Sequence, residues 1–159
     1  MSLDRFKTAQ ASAESGIVTA LAEIRRGRKT SHWIWYVWPQ LVGLARSDTA
    51  RRYGLADLEE AINYLQDDEL RRNLLNITAA AAEHLAAGVP LLELMGSEGD
   101  GRKLASCMTL FDAAATRVPQ PELQADMSAL RTMATTILDG LDAQGVPRCA
   151  FTLNEVQAN

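Results

Sequence analysis

The sequence predicts a mainly α-helical fold, a compact single-domain bundle of about six to eight helices with irregular connections. Three observations favour it. Apolar residues recur at helical spacing, glycine or proline follows most of these runs as a stop signal, and no run alternates cleanly between apolar and polar residues as a half-buried strand does. At 159 residues, 47% apolar and 23% charged, the chain suits one soluble globular domain spanning residues 1–159. We expect about ten frayed residues at its C-terminal end.

The first half of the chain contains five predicted helical segments. A short amphipathic turn follows Ser2 as N-cap, and a second apolar run ends at Gly27 as C-cap. Ser47 can cap a short helix, and residues 57–60 match a capping box before another. A long helix is predicted from about residue 68 to residue 87, because its apolar residues form one stripe at helical spacing.

The second half alternates helical segments with clear breaks. Pro90 begins a short apolar turn, and the glycine-rich stretch 96–101 is the most loop-like part of the chain. Helices are predicted from Arg102 to about residue 116 and over residues 123–141, with prolines between them as breakers. A capping-box match at residues 152–155 predicts one last helical turn.

Positive charge is concentrated in one part of an otherwise acidic protein. The net charge is −4, yet residues 24–52 hold seven lysines and arginines against one aspartate. A basic island of this kind indicates a local anion site. General binding of nucleic acid favours a domain that is basic overall, so the composition disfavours nucleic acid as a partner.

The sequence carries no signal for secretion or for a membrane. No apolar stretch approaches the ~20 residues of a membrane span, and the polar start lacks the apolar block of a secretory signal. The two cysteines are too few for a disulfide framework and lack the CxxC spacing. We therefore expect a cytoplasmic protein with reduced thiols and no membrane partner.

All three tryptophans lie within six residues, in a segment that runs from Ser31 to Gln40. On a helix, Ser31 would be the N-cap and Pro39 would force the end, whereas on a strand the rings would alternate between two faces. In both conformations the rings cannot all be exposed, so we expect most of the segment to be core. The polar residues between the rings are then the candidate functional groups.

The same segment combines the features that an anionic ligand with a planar group requires. A helix N-terminus at Ser31 would supply backbone donors, Lys29 would supply charge, and Trp33 or Trp35 would supply a stacking surface. His32 is the candidate catalytic residue, as a general acid or base with a suitable intrinsic pKa. No dinucleotide, Walker, zinc-protease or serine-hydrolase motif is present. The sequence therefore predicts no metal site and no cofactor, and it leaves enzymatic turnover open.

Two motifs in the sequence are specific enough to compare with a known family. They are Gly27-x-Lys29-x-Ser31-His32-Trp33-x-Trp35-x-x-x-Pro39-Gln40-Leu41-x-Gly43-Leu44 and Lys103-Leu104-x-Ser106-Cys107-Met108-Thr109-Leu110-Phe111. From about Leu3 to Phe111, the chain resembles an uncharacterised bacterial family, domain of unknown function 1810, sometimes labelled "calpastatin". Cys107 stands where the family usually has a serine, so a hydroxyl at this position is not essential in this chain.

The resemblance implies a compact, mostly helical domain without an established activity. The label suggests protease inhibition, but that activity belongs to long disordered repeats, whereas this chain is compact and patterned. The second motif adds a polar cluster at Lys103, Ser106 and Thr109. Lys103 and Ser106 share a helix face at i,i+3 spacing. If this face meets the first motif, the two motifs would line one pocket.

We therefore predict a pocket for an anionic small molecule, such as a nucleotide, that bears phosphate or carboxylate. Its expected ligand-binding residues are Gln10, Lys29, Ser31, Trp33, Trp35, Gln40, Lys103, Ser106 and Thr109. A hypothesis of another class stays open: residues 25–52 could form the surface of a non-catalytic protein-interaction or dimerisation module, and a homo-oligomer is compatible with it. Exposed tryptophan rings would favour that hypothesis, and rings inaccessible to solvent would count against it.

Overall fold

The computed structural model describes residues 2–158, and its helices confirm the prediction of a mainly α fold. This part of the chain holds ten α-helices, two 3₁₀ helices and no β-strand. The α-helices are α1 (Asp4–Gln10), α2 (Ile17–Arg25), α3 (Ile34–Val37), α4 (Asp48–Tyr53), α5 (Leu58–Gln66), α6 (Asp68–Ala86), α7 (Leu91–Met95), α8 (Glu98–Ala115), α9 (Gln124–Ala143) and α10 (Ala150–Gln157). The 3₁₀ helices are Val42–Leu44 and Pro121–Leu123.

Ten α-helices within the described range exceed the predicted six to eight because some of them are very short. Helix α3 has four residues and α7 has five, so each makes little more than one turn. Such a segment contains no full repeat of apolar spacing from which a helix can be recognised. In the described part of the chain, no helix is both long and apolar enough to cross a membrane.

Helix α8 lies at the centre of the fold. Eight consecutive residues, from Leu104 to Phe111, are buried, and α5, α7, α9 and α10 all pack against this helix. A helix that is buried on every face needs neighbours on every side, and these four supply them. The first turns of α8, which precede the buried run, present the polar side chains of Arg102 and Lys103 near the surface.

Several predicted helix boundaries are confirmed. The Ala50 N–H donates to Ser47 Oγ at 3.1 Å, and the Glu60 N–H donates to Asp57 Oδ1 at 2.9 Å, so both serve as N-caps. Gly27 follows α2 with φ +83°, a left-handed conformation that side chains other than glycine rarely adopt.

The prediction of a loop over residues 96–101 is wrong for the residues after Ser97. Helix α8 begins at Glu98, and Ser97 Oγ caps it by accepting a backbone N–H at 3.1 Å. Gly101 lies inside the helix, at a position where a Cβ would come within 2.9 Å of the Leu91 side chain. The close packing between α7 and α8 therefore requires glycine here, despite its low helix propensity.

Two predicted caps are also wrong. Ser31 does not cap α3, because its hydroxyl donates to Glu23 Oε2 at 2.6 Å instead. Residues 152–155 do not begin α10, since that helix starts two residues earlier, at Ala150. The Thr152 hydroxyl donates to Cys149 Sγ at 3.2 Å. In both cases the hydroxyl bonds to a partner other than the one that the local pattern suggests.

Candidate functional site

One buried carboxylate, Glu23, organises the loop between α2 and α3. Its oxygens accept the backbone N–H groups of Thr30 and Ser31 at 2.7 and 2.9 Å, and the Ser31 hydroxyl at 2.6 Å. The indole N–H of Trp33 donates a fourth hydrogen bond at 2.9 Å. Four donors thus converge on a residue that is only 3% exposed, and together they fix the loop before the tryptophan segment.

These hydrogen bonds also set the protonation state of Glu23. Burial by itself raises the pKa of a carboxyl group, because it removes water from the charged form. The donors of Ser31, Thr30 and Trp33 outweigh burial and lower the pKa of Glu23 to about 2. Glu23 is therefore ionised at neutral pH and acts as a structural anion rather than as a general acid or base.

The three tryptophans divide into two structural rings and one that faces a cavity. Trp33 donates to Glu23, and Trp38 Nε1–H donates to the Thr78 hydroxyl at 3.2 Å. Both rings are fully buried, with their centroids 5.6 Å apart. Trp35 is only partly buried, and its indole N–H makes no hydrogen bond to any described residue. The expectation that most of the segment is core is confirmed, and among its tryptophan rings Trp35 is the exception.

The two sequence motifs meet at Asp100, in the first turn of α8. Asp100 Oδ2 lies 2.7 Å from Lys29 Nζ, and Oδ1 lies 3.4 Å from Lys103 Nζ. The Lys29 ammonium also donates to the Ser31 carbonyl oxygen at 2.6 Å. Lys103 Nζ lies 5.8 Å from the Trp35 ring centroid. A single carboxylate therefore joins the loop before α3 to the start of α8.

A cavity of about 710 Å³ opens beside this junction, and we call it the basic cavity. Small-molecule sites commonly enclose ~300–1,000 Å³. Three parts of the chain form its walls: the segment from α3 to α4, the first turns of α8, and the segment that leads into α10. Its lining residues are Trp35, Gln40, Leu44, Arg46, Ser47, Ala50, Gly99, Arg102, Lys103, Ser106, Val146, Pro147, Arg148, Cys149 and Ala150.

Charge in the basic cavity is of one sign. The described residues that line it include four cations and no carboxylate, in a protein of net charge −4. Arg102, Lys103 and Arg148 each have a carboxylate oxygen within 3.4 Å. The pairs of Arg102 and Arg148 are exposed to solvent, and exposed pairs contribute little free energy and exchange partners readily. Arg46 makes no ion pair with any residue in the described range.

Three polar groups in the wall have no protein partner. Within residues 2–158, the Trp35 indole N–H, the Gln40 side-chain amide and the Arg46 guanidinium make no hydrogen bond. The Gln40 backbone is nevertheless held firmly, since its carbonyl oxygen accepts the Leu55 N–H at 2.9 Å. Trp35 and Gln40 are partly exposed and Arg46 is exposed, so all three groups face the solvent that fills the cavity.

Cys149 lines the same cavity, immediately before α10. Partial burial raises the pKa of its thiol, but hydrogen bonds outweigh burial, so its pKa lies below the ordinary value. The donors are the hydroxyls of Ser106 and Thr152 and the backbone N–H groups of Thr152 and Phe151. The Ser106 hydroxyl has one proton and two acceptors in reach, the Cys149 sulfur and the Arg102 carbonyl oxygen at 3.0 Å.

A second cavity, of about 700 Å³, lies between the C-terminal end of α8 and helix α9. Its walls carry several serine and threonine hydroxyls, and its one cation, Arg131, already bonds Asp112 at 3.1 Å. None of the residues predicted from the sequence lines it. Over the described range, no cluster of three or more histidine, cysteine, aspartate or glutamate side chains could hold a metal ion. The basic cavity is therefore the candidate functional site.

Comparison with known proteins identifies the family. The model of a family described as protein of unknown function (DUF1810) matches residues 1–136. The chain belongs to this family. A crystal structure of the conserved hypothetical protein Rv1873 from Mycobacterium tuberculosis is similar to this DUF1810 chain, with 35% sequence identity and a TM-score of 0.72 over 96% of this chain and 94% of that one. Comparison with curated proteins gives no match. The resemblance inferred from the two motifs is thus confirmed.

Four residues predicted to bind ligand line the basic cavity of this DUF1810 protein: Trp35, Gln40, Lys103 and Ser106. Lys29, like Ser31 and Trp33, lies outside its wall and belongs to the network around Glu23 and Asp100 described above. The role of the four lining residues in binding stays a prediction.

Gln10, Thr109 and His32 lie elsewhere. The Gln10 amide is buried and donates to the Tyr36 carbonyl oxygen at 2.8 Å and to the Tyr64 hydroxyl at 3.1 Å. The buried Thr109 hydroxyl donates to a backbone carbonyl of α8 at 2.7 Å and accepts a backbone N–H at 3.3 Å, so it supports the wall from behind. The His32 side chain is exposed and does not line the cavity.

Among the lining residues that carry a charge or a thiol, Arg102, Arg148 and Cys149 were not predicted from the sequence, and Arg46 was placed only in the basic island. Arg102 could have been found, because it shares a face of α8 with Ser106 at i,i+4 spacing. Arg148 and Cys149 carry no such signal. They lie beyond residue 136, where the DUF1810 match ends, and only the fold brings them to the cavity.

Proposed function

We propose that this protein binds a small organic anion, with a planar or apolar part, in the basic cavity. One observation carries the proposal: the described lining residues include four cations and no carboxylate, and three of their polar groups have no protein partner. A cation site of similar size would instead gather carboxylate and carbonyl oxygens. A mononucleotide is one molecule of the proposed class.

The proposed anion contact begins at Arg46, on the loop before α4. A guanidinium without a carboxylate partner has the most to gain from a ligand, and its fork of donors matches phosphate and carboxylate oxygens. The neighbouring Ser47 hydroxyl accepts the Ala50 N–H as an N-cap, which leaves its own proton free to donate to the same anion.

The proposed planar part of the ligand would pack on Trp35. Its ring is held at the cavity wall while its two neighbours, Trp33 and Trp38, are fixed in the core. Leu44 and Val146 complete an apolar surface beside it. Stacking of a flat group on an aromatic ring contributes about 0.5–1.5 kcal/mol beyond simple burial.

The protein-interaction hypothesis has less support. Trp33 and Trp38 are fully buried, and the remaining ring surface, that of Trp35, lines a concave cavity rather than a protruding patch. The most exposed large apolar side chains, Val18 and Leu92, lie on separate helices. Scattered apolar residues of this kind are normal on a monomer surface.

Binding can be tested by isothermal titration and thermal unfolding with a panel of planar carboxylates, sulfonates and phosphates. We expect some of these anions to raise the Tm of the wild-type protein, because a ligand that binds only the folded state stabilises it. The variants Arg46→Ala and Trp35→Leu should lose most of that increase.

The matched control is Arg117→Ala. Arg117 is exposed near the C-terminal end of α8 and lines neither cavity, so its loss changes net charge by the same amount without touching the wall. The control should keep the full ligand-induced increase in Tm. An increase that is equal in the wild type, Arg46→Ala and Trp35→Leu would place binding elsewhere and disprove the proposal.

A further inference from the structure

We infer that the occupant of the basic cavity carries two negative charges, as the phosphate of a monoester or a pair of carboxylates does. The inference rests on the proposed function and narrows it to a class of ligand. The evidence for it is the number of cations in the cavity wall, compared with the number of carboxylates that pair with them.

The wall and its ion pairs contain more cations than carboxylates. Five cations are involved, namely the four that line the cavity and Lys29, which shares Asp100 with Lys103. Three carboxylates pair with them, those of Glu98, Asp100 and Asp139. With the Cys149 thiol taken as neutral, two positive charges are therefore left without a carboxylate.

The two surplus charges can be assigned to particular side chains. Arg46 has no carboxylate partner within the described residues. Asp100 lies closer to Lys29, at 2.7 Å, than to Lys103, at 3.4 Å, and the Lys29 side chain is only 4% exposed. Asp100 therefore mainly neutralises Lys29, and Lys103 is the second cation in excess. Arg46 and Lys103 both line the basic cavity.

Arg46 is exposed and the Lys103 side chain is 31% exposed, so a ligand that binds between them displaces only part of their water. A single negative charge would leave one of the two cations without a counter-ion, whereas a dianion pairs with both and gains a second charge-assisted interaction. Because Lys103 Nζ lies 5.8 Å from the Trp35 ring centroid, an anionic group bound by Lys103 would adjoin a planar group stacked on that ring. Aromatic dianions combine these properties.

The test compares probes that share a ring and differ in charge. Phenyl phosphate is matched with benzenesulfonate, and phthalate with benzoate, each titrated by calorimetry at neutral pH and constant ionic strength. Alkylation of Cys149 by N-ethylmaleimide reports whether a probe occupies the basic cavity, because this thiol is part of its wall. We expect a dianion to bind at least about tenfold more tightly than its matched monoanion and to slow alkylation more strongly.

Two variants identify the source of the preference. Arg46→Ala removes one surplus charge and should reduce the dianion-to-monoanion affinity ratio by about tenfold, the loss expected for one charge-assisted hydrogen bond. Arg46→Lys keeps the charge and should retain most of the ratio. A merely structural role of Arg46 would weaken all four probes equally and leave the ratio unchanged.

Each outcome supports or overturns the inference. A preference for phenyl phosphate alone supports it and names a phosphate monoester, and a preference for phthalate alone supports it and names a dicarboxylate. Equal affinity within both matched pairs overturns the dianion while the proposed function stands. If none of the four probes slows the alkylation of Cys149, the proposed function and the inference both fail.

Discussion

Lys29 Nζ lies 2.7 Å from Asp100 Oδ2, and this ion pair fastens the loop after α2 to the first turn of α8. Both partners are largely removed from solvent, with the Lys29 side chain 4% exposed and that of Asp100 17% exposed. The loop carries the tryptophan segment and α8 carries Lys103 and Ser106. The pair therefore sets the relative position of two walls of the basic cavity.

The first prediction concerns Asp100→Asn. Removing the carboxylate leaves the buried Lys29 ammonium without its counter-ion, so the free energy of unfolding should fall by about 3 kcal/mol. Urea denaturation measures this loss. Asp48→Asn is the control, because Asp48 pairs with Arg51 at 2.6 Å with both side chains exposed, and it should cost less than ~1 kcal/mol. Equal losses in the two variants would show that the buried ion pair stabilises the protein no more than the exposed one.

The second prediction concerns acid stability. The pKa of Glu23 is about 2 in the folded protein and 4.5 for an unperturbed glutamate, so the unfolded chain binds the proton more tightly. Stability from Glu23 is therefore complete above pH 4.5 and is lost as the pH falls towards 2. At neutral pH this contribution is about 3 kcal/mol, since each pKa unit corresponds to ~1.4 kcal/mol.

The variant Glu23→Gln tests that acid window. Its amide cannot accept all four donors as a carboxylate does, so it should be markedly less stable than the wild type at neutral pH, with the difference shrinking on acidification. Denaturation curves across the acid range measure the difference. Glu93→Gln, at an exposed position of α7, should show no such trend. A wild-type advantage that did not change with pH would contradict the assignment.

The third prediction separates the two thiols. Burial raises the pKa of the Cys107 thiol well above its ordinary value, whereas hydrogen bonds lower that of the partly buried Cys149. Because the thiolate is the nucleophile, N-ethylmaleimide should modify Cys149 quickly and Cys107 only when the protein unfolds. Mass spectrometry resolves the two adducts. Cys149→Ser should abolish the fast reaction, and a fast reaction that persisted in this variant would refute the prediction.

The fourth prediction compares Gly43, in the middle of the first 3₁₀ helix, with Gly54, which directly follows α4. A Cβ at Gly54 would lie 2.6 Å from the Val42 Cα, which is backbone and cannot move aside. A Cβ at Gly43 would lie 2.5 Å from Phe151 Cζ, but that ring is 40% exposed and can swing away. Gly54→Ala should therefore cost about 2 kcal/mol and Gly43→Ala clearly less, measured as free energies of unfolding. The reverse order would be evidence against this packing.

The sequence predicts the long helices, because their apolar residues recur at a regular spacing over several turns. Helix α6 was expected over about residues 68–87 and lies at Asp68–Ala86, because a long stripe of apolar residues has few alternative explanations. Helix α3 could not be distinguished from a strand, since its four residues contain barely one turn. The start of α8 was missed because glycine at position 101 reads as a loop signal, whereas Leu91 packs against it.

The candidate site was predicted where local spacing defines it. Lys103 and Ser106 fall on one helix face, and Trp35 and Gln40 belong to the same short motif, so all four could be named before the fold was known. The buried role of Glu23 could not be predicted, because an acidic residue in an amphipathic helix usually points to solvent. The bonding needs of Ser31 and of Trp33 were the available clue that an acceptor lies nearby.

The wall of the basic cavity formed by residues 146–150 lies outside the residues 1–136 that match the family. Two proteins can therefore agree with DUF1810 equally well over their shared helices and still close this cavity with different side chains. A change at Arg148 alters charge at the cavity without touching Glu23, Asp100 or the core of α8. The charge at this wall can therefore change without a change in Arg46 and Lys103, which lie inside the matched residues, or in the helices that position them.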